Sequence, residues 1–99
     1  MIIVAGHLEV DPANADRAES IARTMMAETR REAGCRVYHI LRSLEAPGRF
    51  HVYEEWESAE ALEAHFGTPH MKVFREGLAD LTVLGREVHR REAGDATPI

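Results

Sequence analysis

The sequence predicts an α+β domain of the ferredoxin-like type, with the order strand, helix, strand, strand, helix, strand. Three observations carry that expectation. Apolar residues recur at helical spacing from Ala18 to Ala33 and again from Leu62 to Leu78. Segments that start or end near Ile2, Cys35, Arg49 and His89 are instead rich in Val, Ile, Tyr and Phe, as strands are. Between them fall turn and cap signals: Asp11-Pro12, Gly34, Glu45-Ala46-Pro47-Gly48, Ser58 and Gly67-Thr68-Pro69. This βαββαβ order gives one antiparallel sheet with both helices on one face.

The first strand, Ile2 to Val10, begins apolar on both of its sides, as expected of a strand covered on two faces. Asp11 then serves as a cap with Pro12 at the first helical position. The first helix is expected to run for about 20 residues, close to 30 Å, and to end at Gly34 in the left-handed conformation. Cys35 to Leu44 and Arg49 to Glu57 form a hairpin across the Pro-Gly turn. Ser58 caps a helix from Ala59 to Phe66, Gly67 breaks it, and Thr68-Pro69 starts a further helical stretch. The last strand is expected over Asp80 to His89, with Gly85 as a possible bulge. Residues 1–90 thus make one domain, and 91–99 a loose tail.

Ninety-nine residues are enough for one core but few for a large enclosed cavity. With Ile2, Val4, Leu8 and Ile40 read as the face away from the helices, a second sheet should cover them. The simplest donor is another copy, giving a homodimer with sheets face to face. A net charge of −5 without a basic cluster argues against a nucleic-acid surface. No segment has the length and apolarity of a membrane helix, and the leading residues lack the positive start of a signal peptide. The single cysteine, Cys35, fits a reducing cytoplasm and reads as a small buried hydrophobe.

Histidines dominate the candidate chemistry. A four-residue turn would pair 44 with 49, placing His39 opposite Glu54 and beside Trp56. A carboxylate beside an imidazole orients the ring and favours its charged form, which serves either proton transfer or a plain structural bond. His65 shares the inward stripe of Leu62 and Phe66. His70 follows the Thr68 cap in a first helical turn, where the helix end disfavours imidazolium. A spacing of five across a helix break, with no cysteine or third ligand in view, argues against a metal site. His7 stands at the polar end of the first strand, and His51 faces the expected second copy. No nucleophile elbow, phosphate loop or dinucleotide fingerprint is present.

Gly34-Cys35, Tyr38, the run RFHVYEEW (49–56) and the run ALEAHFGTPHMKVF (61–74) resemble the antibiotic biosynthesis monooxygenase family, whose members are dimeric α+β barrels. The likeness extends from the first strand to about Leu84 and is nearest to the small quinol monooxygenases. Glu54, Trp56, His65, His70 and Phe74 fall on its motif positions. The resemblance implies oxygenation without metal, flavin or haem, in which a quinol or polyphenolic substrate supplies its own electrons to molecular oxygen. Taken together with the reading of the residues themselves, it leaves His65, His70, His39 and Glu54 as the expected catalytic groups, and Trp56, His7, Phe66 and Phe74 as the expected substrate-binding ones.

Two alternatives stand beside that reading. One is an isomerase acting on a phosphorylated quorum-sensing signal; the inward faces read from sequence offer no arginine pair for its phosphate. The other is a non-catalytic protein that binds a small aromatic ligand. Haem-degrading relatives carry Asn where this chain has His7, and an axial histidine near Arg75, so the pattern departs from theirs.

Overall fold

The computed structural model describes residues 1–99. Strand β1 spans Ile2–Val10; a 3-10 turn at Pro12–Asn14 leads into helix α1, Ala15–Thr29. Strands β2, Cys35–Arg42, and β3, Arg49–Trp56, precede helices α2, Ala59–Phe66, and α3, Pro69–Ala79, and strand β4, Val83–Glu92, closes the fold. The sheet order is β2-β3-β1-β4 with every neighbouring pair antiparallel. This is the ferredoxin-like α+β architecture, as the sequence predicts.

Local chemistry sets the element ends. The Asp11 carboxylate accepts from the Ala13 amide, and the Ser58 and Thr68 hydroxyls accept from the amides of Ala61 and Met71. Ala15, Ala18, Ala22, Met25 and Thr29 form the buried stripe of α1, spaced by three and four. The helix is shorter than its apolar pattern suggested, because the chain turns at Arg30 and reaches β2 through Gly34 at φ +83°. A side chain on Gly34 would strain that backbone and place its Cβ 2.6 Å from that of Ala61 on α2. Gly34 therefore lets the turn after α1 lie close against α2. Strand β4 starts three residues later than expected and runs to Glu92, with its register shift opposite Glu9 and Val10, next to Gly85.

Two expectations about sheet faces are overturned. The β2–β3 pairing sets Arg42 opposite Phe50 and Tyr38 opposite Glu54, one residue out of the expected register. The turn begins early because the Ser43 hydroxyl accepts from the amides of Glu45 and Ala46, while the Ser43 amide donates to the Arg49 carbonyl. One residue of slip exchanges the faces of β2. Tyr38 and Ile40 point under the helices, and His39 is turned out beside Tyr53. Second, Ile2, Val4, Leu8 and Ile40 are buried against the helices within a single chain, together with Phe50, Val52 and Trp56. The face away from the helices carries Ile3, Ala5, His7, Val37, His39, Leu41, His51 and Tyr53 instead. No helix is long and apolar enough to cross a membrane.

Candidate functional site

A cavity of about 310 Å³ opens between the helical side of the sheet and helices α2 and α3. Val4, Leu8, Ile40 and Val52 form its floor, while Leu62, Phe66, Met71, Phe74 and Leu78 close over it. Its volume lies at the small end of the range for ligand sites, about 300 to 1,000 Å³, and suits one or two fused rings. Polar groups on its wall are Tyr38, Glu54, His65, Arg75, Arg86, His89 and Arg90.

His65 is the most constrained of them. Its side chain is 2% exposed, and its ring packs against Trp56 with centroids 4.8 Å apart and against Tyr38 at 5.7 Å. Nδ1 donates to Glu32 Oε2 at 2.7 Å, which leaves Nε2 as the ring nitrogen free for a ligand. Burial holds the imidazolium pKa below its usual range, and the Glu32 carboxylate opposes that effect without overcoming it. The neutral ring therefore presents a lone pair on Nε2 while Nδ1–H stays bound to Glu32.

Glu32 itself was not legible in the sequence as a site residue. It lies in the turn after α1, and the left-handed Gly34 two residues later lets this turn fold onto α2. His70 Nε2 donates to the same Oε2 of Glu32, also at 2.7 Å, so one carboxylate oxygen joins the two histidines. His70 is 19% exposed on its side chain and also borders a groove of about 380 Å³ between α1 and α3. The arrangement links the cavity to a second surface through His65, Glu32 and His70.

The same three residues offer donor atoms within 4.8 Å of one another, so Glu32 supplies the third polar group that the sequence did not reveal. Donors about 2.05 Å from a tetrahedral zinc would lie roughly 3.3 Å apart. Here both nitrogens aim at one oxygen at 2.7 Å, which is the geometry of a hydrogen-bonded carboxylate bridge.

Glu54 is buried, and its Oε1 accepts from Trp56 Nε1 at 2.8 Å. Burial raises its pKa from 4.5 to about 7, against the lowering effect of the Trp56 bond. Tyr38 lies opposite Glu54 across the strands, and burial together with the Glu54 charge keeps its hydroxyl protonated. Burial likewise pushes the Cys35 thiol up to about 11, in keeping with a packing role.

Of the expected site residues, Glu54, His65, Phe66 and Phe74 line the cavity, and His70 stands behind it on Glu32. The expected His39–Glu54 pair does not form. His39 lies on the far face, where its Nδ1 accepts from Arg30 Nη2 at 3.1 Å. His7 is also on the far face, edge-on to His51 with centroids 5.9 Å apart. Trp56 has no exposed surface, so it supports Glu54 and His65 from beneath and cannot itself touch a ligand. Arg75, Arg86 and Arg90 on the wall correct the expectation that the inward faces lack arginines.

Comparison with known proteins agrees with this fold. The family model described as antibiotic biosynthesis monooxygenase matches residues 1–77. A Deinococcus radiodurans structure provisionally named an antibiotic biosynthesis monooxygenase superposes with a TM-score of 0.93 at 28% identity, covering 100% of this chain and 98% of that one. A Caulobacter crescentus structure with the same provisional name gives 0.88 at 28% identity, covering 95% and 90%. An uncharacterized Synechocystis protein is 30% identical over 87 residues, 88% of this chain; the match spans 59% of that relative's length.

Proposed function

The chain belongs to the antibiotic biosynthesis monooxygenase family, and on that premise we propose that it oxidises a quinol or polyphenolic substrate with molecular oxygen, without a bound cofactor. The observation that supports this most is the His65 ring: Nε2 is free towards an apolar cavity while Nδ1 is committed to Glu32. A phenol bound there gives its proton to Nε2, and Glu32 stabilises the imidazolium that results. The phenolate, now electron-rich and shielded from water, reduces oxygen. One oxygen atom bonds to a ring carbon and the other leaves as water, so a quinol becomes a hydroxyquinone. His70 Nε2–H, bonded to the same Glu32 oxygen, helps keep that carboxylate in place beside the imidazolium. Tyr38 and Glu54 hydrogen-bond the substrate oxygens, and Phe66 and Phe74 hold the ring.

The test is oxygen consumption on a panel of reduced naphthoquinones and anthrones in chelator-treated buffer. Enzyme-dependent uptake that falls by about 10²-fold in His65→Ala is expected. No uptake on any of them, with ligand binding retained, would favour the non-catalytic binding reading. Turnover of a phosphorylated ketose-like signal without oxygen uptake would favour the isomerase.

We also propose that a second copy covers the sheet face bearing Ile3, Val37 and Leu41, as the partner in a homodimer. Light scattering giving twice the 11.1 kDa chain mass is the expected result; a monomer at micromolar concentration would refute it.

A further inference from the structure

Strand β4 is an edge strand, and its helix-side face presents Arg86, Val88 and Arg90 opposite Leu8, Gly6 and Val4 of β1. Its register brings guanidinium groups to one rim of the cavity, in a chain whose net charge is −5. Two of the three arginines on the wall are already engaged. Arg90 pairs with Glu63 at 2.9 Å and stacks over the Phe66 ring at 5.8 Å. Arg75 donates to the Phe66 carbonyl. Arg86 lines the cavity with neither an ion pair nor a side-chain hydrogen bond to the rest of the chain.

The wall offers it no bonded anion, although the Glu54 charge reaches it through space. Glu54 is the only carboxylate there, and its Oε1 is taken by the Trp56 indole. Burial also keeps Glu54 partly protonated near neutral pH. An apolar floor, aromatic sides and an uncommitted guanidinium at the rim together define a ligand with a flat ring and an anionic oxygen group at one end.

We propose that the cavity binds an aromatic acid, with the ring between Ile40, Val52, Phe66 and Phe74 and the anionic group on Arg86. This rests on the reading of the cavity as the substrate site, and it narrows the substrate to a phenol or quinol bearing an acidic substituent. A bidentate guanidinium contact fixes the ring's orientation, so that a hydroxyl remote from the acid group is turned towards His65.

Anaerobic titration of Trp56 fluorescence tests the site directly, because Trp56 is the only tryptophan and lies against His65. Hydroxynaphthoate, neutral naphthol and naphthyl phosphate serve as redox-inert probes. Wild type is expected to bind hydroxynaphthoate about tenfold more tightly than naphthol, and Arg86→Gln to erase that preference while leaving naphthol affinity within about twofold. Arg86→Lys should restore part of it. Tighter binding of naphthyl phosphate than of hydroxynaphthoate, again dependent on Arg86, keeps the anion subsite but overturns the carboxylate as its ligand. Equal affinity for naphthol and hydroxynaphthoate, or a preference that survives Arg86→Gln, overturns the subsite alone. Failure of every probe to bind overturns the cavity reading with it.

Discussion

Glu54→Gln is expected to change how stability depends on pH, by an amount that follows from the burial of this carboxyl. The folded pKa is about 7 against an ordinary value of 4.5. Between those values the folded chain keeps a proton that the unfolded chain has released. Stability therefore falls as pH rises through that window, and it stays lower above it. Integrated from pH 5 to 8.5, the loss is about 2 to 3 kcal/mol, a large share of the stability of a domain this size. Glutamine cannot ionise, yet its carbonyl oxygen can still accept from Trp56 Nε1, so the variant escapes the loss without orphaning the indole. Urea unfolding followed by Trp56 fluorescence at both pH values supplies the measurement. The wild type holds six histidines that titrate over the same range, but the difference between the two proteins cancels their contribution. The variant should gain about 2 to 3 kcal/mol on wild type between pH 5 and 8.5. A constant difference, or a wild type that gains on the variant, would refute the raised pKa and with it the dryness of the cavity wall.

Other variants separate the remaining roles. Glu32→Gln should lower kcat on an active quinol by about 10-fold or more and alter its pH profile with KM little changed, because the amide lacks the charge that stabilises an imidazolium formed at His65. Wild-type kinetics in a folded Glu32→Gln protein would return the carboxylate bridge to a structural role. Gly34→Ala should cost about 1 to 3 kcal/mol in urea unfolding, from its positive φ and the approach to Ala61; an unchanged midpoint would show that this turn is not tightly set. Thr29 is fully buried and its hydroxyl has no partner, so Thr29→Val should match or exceed wild-type stability. A loss above about 1 kcal/mol would mean that the hydroxyl is bonded in solution.

The element order was legible because helical and strand periodicities differ and caps stand between them. Ser58 and Thr68 alone place the starts of α2 and α3 correctly. The hairpin register was not legible from counting, since it depends on which residue starts the turn. Ser43, whose hydroxyl gathers two amides, was the available signal. Missing it put His39 in the site and left Tyr38 out. His65 was readable from its place on the stripe with Leu62, whereas Glu32 was not. Its approach to both histidines depends on a turn that only its own packing against α2 and the Gly34 conformation determine. The arginines of β4 escaped for a related reason: the strand lies three residues beyond its expected start, and its pairing with β1 decides which side chains face the helices.

The most direct test of the central claim is the fate of labelled oxygen. An active quinol turned over under ¹⁸O₂ in unlabelled, chelator-treated water should yield a hydroxyquinone carrying one heavy oxygen atom, with the rate of its formation collapsing in His65→Ala. Product without label, or hydrogen peroxide formed in its place, would contradict oxygen transfer at this cavity.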